Sequence, residues 1–314
     1  MLSHIKVSSF LFHLEPIEPI ELPPYKGSTL RGAFGHCFKK VICVLNKKDC
    51  NICDLKSCCV YMYVFDTKLP KKAKMMRKYE TIPHPFVLTP PLTKKRVFYP
   101  EEKIEFSLTL IGKARQYLPY FVYTFKKMGE IGIGKAKGRF RLKEVFSLNG
   151  DKYTKIYDAN EGTLKEFEDT YVSFGKGKGL EKIALKFLTP TRIKYSGRFV
   201  SELEFHILIR ALLRRISALS YFHCGKELDL DYKGIIQSAT TVKSLRRKLF
   251  WYDWQRFSNR QNTHMKMGGF MGEIEFEGDI ERFYPLIALG EYIHVGKGTS
   301  FGLGRYEIKG LNNK

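Results

Sequence analysis

Acidic residues are scarce in this chain: 32 Asp and Glu stand against 54 Lys and Arg, which leaves a formal charge of +22. An imbalance of that size is costly in self-repulsion unless a polyanion neutralises it. An ion-pair surface of thermophilic type adds both signs together and does not account for it. Also lacking is any apolar run near the ~20 residues that a membrane-spanning helix needs. Residues 1–14 alternate polar and apolar like a strand, unlike a signal peptide. No stretch has the Gly-x4-Gly-Lys-Ser/Thr spacing of a nucleotide-binding P-loop, and no basic amphipathic helix exposes an apolar face to a membrane surface. No two carboxylates are spaced for a two-metal nuclease; Asp229, Asp231 and Asp253 come nearest, and loop solvation explains them as well. These absences point to a soluble cytoplasmic protein with no membrane partner. Nucleic acid ranks first among its partners, ahead of anionic lipid.

What is present suits two domains of ordinary size. The 314 residues are 44% hydrophobic and 14% aromatic, enough for real cores. Residues 4–14 read as a first strand, ended by prolines at 16, 19, 23 and 24. A helix then starts near Ser28, with Leu30, Phe34, Phe38, Val41 and Leu45 as its buried stripe. Its opposite face carries Gly32, His36, Lys39 and Lys40; the glycine removes bulk one turn below a histidine and leaves room for a ligand backbone. Short extended pieces bracketed by Pro83, Pro85, Pro90 and Pro91 follow. Then come a strand at 105–111, a helix at 117–128 with Leu118, Phe121, Val122 and Phe125 inside, and a strand at 140–146.

Residues 149–179 are polar and irregular and form the expected linker, so the domains are predicted at 1–148 and 180–314. The second begins with a strand at 182–188, continues through a helix at about 201–223, strands at 265–267 and 270–276 and a helix at 280–292, and ends in a strand from Arg305. Each half thus reads as strand, helix, paired strands, helix, strand. The expected fold class is α+β: two tandem ferredoxin-like domains, the sheet architecture also used for RNA recognition, with a cysteine-rich insertion after the first helix. The segment Lys137-Gly-Arg-Phe-Arg-Leu-Lys shares only Lys-Gly with an RNA-recognition aromatic motif, so base stacking on that sheet is not expected.

Two glycine and cation loops occupy equivalent places in the two halves. One runs from Gly129 to Arg139 and contains Lys135 and Lys137. The other, His294-Val-Gly-Lys-Gly-Thr-Ser-Phe-Gly-Leu-Gly-Arg305, has glycines at 296, 298, 302 and 304 beside Lys297 and Arg305. Flexible amides flanked by cations suit a phosphate chain. Arg31, Lys135, Lys137, Arg139, Arg256, Arg260, Gly296, Lys297, Gly298, Gly302, Gly304 and Arg305 are the expected RNA contacts. His264 and His294 flank the glycine-rich segments and stand in reserve as catalytic bases.

Seven cysteines stand at 37, 43, 50, 53, 58, 59 and 224, five of them within 17 residues. Cys43, Cys50, Cys53 and either Cys58 or Cys59 give C-x6-C-x2-C-x4/5-C, with one C-x2-C knuckle of the kind that forms half of a tetrahedral zinc site. In a reducing compartment disulfides are disfavoured. Four thiolates leave no open coordination position, so the expected zinc is structural and takes no part in catalysis.

Several stretches in order along the chain resemble the RAMP-type CRISPR-associated endoribonucleases that cut precursor CRISPR RNA within its repeats. They are Lys26-Gly-Ser-Thr-Leu-Arg-Gly-Ala-Phe-Gly-His36, the cysteine cluster ending in Tyr61 and Phe65, Gly132-Ile-Gly-Lys, and Phe187-Leu-Thr-Pro-Thr-Arg192. Asp253-Trp-Gln-Arg-Phe-Ser-Asn-Arg-Gln261, Met267-Gly-Gly-Phe-Met-Gly272 and the loop from Gly296 to Gly304 complete the set. The resemblance implies tandem ferredoxin-like domains and metal-independent cleavage by the ribose 2′-hydroxyl, leaving a 2′,3′-cyclic phosphate. It makes His36 the general base, with Lys39, Lys40 and Tyr25 as helpers, and its spacing favours Cys59 over Cys58. CRISPR repeat RNA is the implied partner, with other Cas effector subunits beside it, for a monomer or a homodimer. The rival is a non-catalytic RAMP subunit that holds CRISPR RNA in an interference complex and needs the same charge but no base.

Overall fold

The computed structural model describes residues 2–309 except 46–48, 71, 72, 74, 77–79, 171, 173, 175, 176 and 259–262. The chain divides into two compact units, one built from Ser3–Tyr171 and Ala218–Lys226, the other from Val172–Ser217 and Glu227–Lys314.

In the first unit the elements run β1 (Val7–Pro16), β2 (Ile20–Glu21), α1 (Gly27–Ile42), β3 (Phe86–Thr89), β4 (Val97–Phe98), β5 (Ile104–Ile111), α2 (Leu118–Ile131), β6 (Phe140–Asn149) and β7 (Lys152–Asp158). Their main sheet is antiparallel with strand order β3-β5-β1-β6-β7. Without β7 this is the split βαβ ferredoxin-like order. Alternate residues of β1, Phe10, Phe12 and Leu14, join Phe106 and Leu108 of β5 in one buried cluster with Leu30, Phe34 and Phe38 of α1 and Phe121 and Phe125 of α2. Both helices therefore cover one face of the sheet. Strand β7 falls inside the expected linker. Its Ile156 and Tyr157 are buried, and its aromatic and β-branched residues outweigh the polar ones that made the stretch read as a connector.

The second unit contains β8 (Lys182–Thr191), β9 (Lys194–Tyr195), β10 (Arg198–Phe199), α3 (Phe205–Leu219), α4 (Tyr232–Ala239), β11 (Lys243–Tyr252), β12 (Gln255–Ser258), β13 (Thr263–Lys266), β14 (Gly269–Glu277), α5 (Tyr284–Ile293) and β15 (Tyr306–Lys309). Its main sheet has the order β11-β14-β8-β15, again ferredoxin-like. The sequence reading paired a strand at 265–267 with the one at 270–276. The structure instead pairs β13 with β12 as a separate hairpin and places β11 at the sheet edge. An edge strand guarded by Lys243, Arg246, Arg247 and Lys248 has no alternating apolar signal to read. Asp231, read as a loop carboxylate, caps α4 by accepting from the Gly234 amide at 2.9 Å. No helix among the described residues is long and apolar enough to cross a membrane.

Helix α1 is seated by an unusually close contact. A Cβ built on Gly35 would lie 1.9 Å from Cζ of Phe65. That ring sits in the π-helical turn Met62–Asp66 and stacks on Tyr61 and Phe86 at centroid distances of 5.5 and 6.2 Å. Gly35→Ala overpacks this contact and is expected to cost about 1–3 kcal/mol of unfolding free energy, read from the urea midpoint. An unchanged midpoint would show that Phe65 yields freely.

Candidate nucleic-acid interface

Burying Leu30, Phe34 and Phe38 of α1 turns the opposite edge of the helix to solvent. Gly32, His36 and Lys40 are exposed there, and nothing lies within 4 Å of a Cβ built on Gly32. The open edge expected above a missing side chain is therefore present. The helix has no acidic residue anywhere along its length, so this edge offers an imidazole and an ammonium with no carboxylate of its own.

The other expected helpers are less free. Lys39 points to a different side of α1: it lines a hollow shared with four cysteines, and its Nζ lies 5.8 Å from the Tyr61 ring centroid. Burial pushes the Tyr25 phenol up, so it stays protonated and offers no phenolate base. Next to it, Lys26 is fully buried at the start of α1, where its Nζ donates to the carbonyls of Thr93 and Pro24 at 2.7 and 3.3 Å. Burial, then the Arg96 charge, holds this ammonium below its ordinary value. The sequence reading missed Lys26 as a buried anchor, since nothing in local pattern marks a lysine for the interior. Arg31 is also engaged: its guanidinium lies 4.3 Å over the Phe65 ring, and Nη2 donates to His84 Nε2 at 2.9 Å. Because a guanidinium has no lone pair to offer, that imidazole nitrogen must accept.

In the loop after α2, Lys135 and Lys137 are exposed, the latter in the left-handed region at φ 53°. Arg139 is committed to Glu18: Nε donates at 2.8 Å, Nη2 lies 2.6 Å from the same carboxylate, and the Arg139 amide donates to its second oxygen at 3.0 Å. These bonds hold the Glu18 carboxyl below its ordinary range. Of this loop's three expected contacts, two lysines are open and the arginine is paired.

The C-terminal glycine loop is packed more tightly than an amide cradle allows. The amides of Lys297, Phe301, Gly302 and Gly304 donate to the carbonyls of Arg192, Gly298, Thr299 and Pro190 at 2.9–3.1 Å. Thr189 Oγ1 donates to the Gly302 carbonyl at 2.8 Å and accepts from the Arg305 amide at 2.9 Å. Gly304 has φ 72°, and its Cβ would fall 1.8 Å from the Val295 carbonyl oxygen, so both its conformation and its surroundings demand glycine. Those four amides are thus used within the unit, and the glycines shape the loop more than they bind through it. What the loop shows to solvent is charge. The ammonium of Lys297 is held down first by burial and then by Lys194, Arg214 and Arg192. These four cations crowd together, and the guanidinium of Arg192 and the ammonium of Lys194 lie 4.7 and 5.3 Å from the Phe199 ring centroid. Arg305 is half-buried, 3.4 Å from Glu307.

Two buried donors accompany this cluster: Arg192 Nε and Arg215 Nη2 have no hydrogen-bond partner among the described residues. Arg215 Nε donates to the Ile293 carbonyl at 2.9 Å, and burial pulls the guanidinium down to about 9. The sequence signal for the cluster was available in Arg210 and Arg214 at helical spacing on α3 and in Thr189-Pro-Thr-Arg192, but only the fold brings them to Lys297. The Asp253-Trp-Gln-Arg stretch has a structural use, with Trp251 Nε1 donating to Asp253 Oδ1 at 2.9 Å. Arg260 lies outside the described residues, as do the side chains of Arg256 and His264. His294 is buried, its Nδ1 3.2 Å from the Leu303 carbonyl. Burial first, then the charges of Arg305 and Arg215, push it down to about 3, which makes it a neutral structural group and not an available base.

Residues 185–306 match the family described as CRISPR-associated endoribonuclease Cas6, and residues 5–169 match AF_1859_N, described as an N-terminal domain. The C-terminal part of the chain, residues 185–306, thus resembles the Cas6 family. A protein of Archaeoglobus fulgidus, described as uncharacterized, is 24% identical over 293 residues, which cover 92% of this chain and 93% of that protein. A Cas6 product complex of Thermus thermophilus matches with a TM-score of 0.58 at 17% identity, over 96% of this chain and 99% of that one. A partial Cas6-RT-Cas1–Cas2 complex matches with a TM-score of 0.59 at 11% identity, over 99% of this chain and 47% of that one. At these identities the solved Cas6 structures share the fold, that of tandem ferredoxin-like domains.

The burial of His294 has a measurable sign. Its folded value lies below the unfolded value of about 6.5, so the unfolded chain binds a proton that the folded chain refuses. Stability is therefore present above pH 6.5 and falls as the pH drops from there towards 3. Between pH 7.5 and 5 the wild type should lose about 2 kcal/mol more than His294→Gln in paired urea titrations. Equal losses would show that the imidazole charges in place.

Proposed function

We propose that this chain cleaves CRISPR precursor RNA within its repeats, using the ribose 2′-hydroxyl as the nucleophile. The exposed His36 and Lys40 edge of α1, in a chain whose residues 185–306 match the Cas6 endoribonuclease family, carries this reading. An imidazole is a side chain suited to general-base work near neutral pH. His36 takes the 2′-proton as the oxygen attacks the adjacent phosphorus. The bond to the 5′-oxygen breaks, and that oxygen leaves and acquires a proton. The products are a 2′,3′-cyclic phosphate and a 5′-hydroxyl. Lys40, one turn from His36, stabilises the additional charge on the phosphorane. Because the nucleophile belongs to the substrate, the protein has only to align, deprotonate and stabilise. No metal ion is needed for that sequence of events.

The partner is repeat RNA, contacted through phosphates by Lys135 and Lys137 in the first unit and by Arg192, Lys194, Arg214 and Lys297 in the second. Association with other Cas proteins is part of the same proposal, by analogy with the complex that includes Cas1 and Cas2.

Repeat RNA incubated with the protein, with no divalent cation added, is expected to give one discrete cut ending in a cyclic phosphate. His36→Ala should lower the single-turnover rate by about 10²- to 10⁴-fold while leaving RNA affinity nearly unchanged. Cleavage at the wild-type rate removes His36 from the reaction, and a gel shift with no cut by the wild type identifies a binding subunit instead.

Phosphate contact is checked separately through salt. For single-stranded RNA the slope of log affinity against log salt is about −0.7 per phosphate neutralised. Arg192→Ala and Lys194→Ala should each weaken binding and reduce the slope by about that amount. A slope identical to wild type in both variants would place the phosphates elsewhere.

A further inference from the structure

Cys43, Cys50, Cys53 and Cys59 line a single hollow, together with Lys39, Tyr61 and Met62. They reach it from separate pieces of backbone. Cys43 is the C-cap of α1, its amide donating to the Lys39 carbonyl at 2.9 Å. Cys50 and Cys53 come from the irregular segment after the helix. The carbonyl of Cys59 accepts from the Tyr63 amide at 3.0 Å, at the entry to the π-helical turn. Cys58 takes no part: it is exposed and its Sγ donates to the Leu55 carbonyl at 3.4 Å. All seven cysteines are free thiols. Among the described residues no three or more His, Cys, Asp or Glu stand at metal-ligand spacing, so the four thiols share a hollow without being drawn together.

We propose that these four cysteines bind one structural zinc ion, with Cys59 and not Cys58 as the fourth ligand. A C-x2-C pair and two further thiols lining one hollow without any carboxylate or imidazole match the chemistry of a closed tetrahedral sulfur site. Each thiol gives its proton to solvent as it binds, and zinc draws the sulfurs to about 2.3 Å. Four thiolates around a divalent ion carry a net charge of −2, and Lys39, lining the same hollow, supplies positive charge and N–H donors beside the sulfurs. This accounts for a cation that the exposed edge of α1 does not use. The bound ion ties the end of α1 to the turn whose Phe65 lies against Gly35, and so fixes the helix at both points. The site is independent of the RNA-cleavage reading.

The test is metal content of the full-length protein by mass spectrometry, after purification without a metal-affinity tag. The wild type and Cys58→Ser are expected to carry about one zinc per chain, and Cys53→Ser and Cys59→Ser to lose it. Because a ligand variant can misfold, zinc release is also followed on the wild type. Titration with a thiol-binding mercurial should free one zinc per chain, in step with the blocking of four thiols. Loss of that zinc should lower the melting temperature of the wild type and not change the far-ultraviolet signature of the second unit's sheet. Absence of zinc, iron in its place, or zinc retained by Cys59→Ser and lost by Cys58→Ser would overturn the proposal.

Discussion

The first unit depends on how the ring of Phe34 is packed. It lies between 4.9 and 5.1 Å, centroid to centroid, from Phe38 in its own helix and from Phe121 and Phe125 in α2. Phe125 in turn meets Phe106 and Phe12 on the sheet at 4.7 and 5.1 Å. Aromatic contacts of this kind add about 0.5–1.5 kcal/mol each beyond the area they bury. Their geometric consequence matters more. With Phe34 fixed inward, a rise of 3.6 residues per turn leaves residues 32, 36 and 40 no direction but outward. The exposed imidazole and ammonium are thus a by-product of the core, and no contact of their own is needed to aim them.

Charge is arranged differently on the two kinds of surface. The face of the first sheet away from the helices carries both signs, with Lys143 on Glu15 at 2.8 Å and Lys155 bridging Glu144 and Asp158 at 3.1 and 2.9 Å. Such exposed pairs contribute little to stability, about 0–1 kcal/mol each, but they remove net charge from that face. Lys135 and Lys137 are exposed on the loop after α2, and in the second unit burial and then the charges of Lys194, Arg214 and Arg192 hold the Lys297 ammonium down. A fold under no other demand would place acids among them, as it does along the first sheet.

Much of this was legible in the sequence where a periodic core made it so. The β1, α1, α2, β8 and β14 elements and the outward edge of α1 follow from apolar spacing that the packing then obeys. Strand β11 was not legible, because its sides are cationic at the sheet edge and its aromatic end, Phe250 to Tyr252, is exposed. Nor was the use of the glycine loop. Four glycines announce unusual backbone, but whether the freed amides face a ligand or neighbouring carbonyls is decided by β8, far away in sequence. The Cys58 and Cys59 alternative is of the same kind. Adjacent residues differ by one step in a count, and only the turn that leads into Met62–Asp66 sends one sulfur inward and leaves the other at the surface.

The distribution of cations also bears on what sort of anion they serve. A single phosphate would be answered by one concave site with converging amides, and the glycine loop has committed four of its amides elsewhere. Both units instead bear exposed lysines with no ion pair among the described residues, Lys135 and Lys137 after helix α2 in one case and Lys297 after helix α5 in the other. A ligand with one phosphate satisfies only one of them. A chain of phosphates relieves the repulsion in each, and a polynucleotide has that repeated charge along its backbone. The excess of Lys and Arg in the composition is therefore best understood as charge held in reserve for a long anion, and under the proposed function the exposed imidazole of α1 would distinguish cutting that anion from merely holding it.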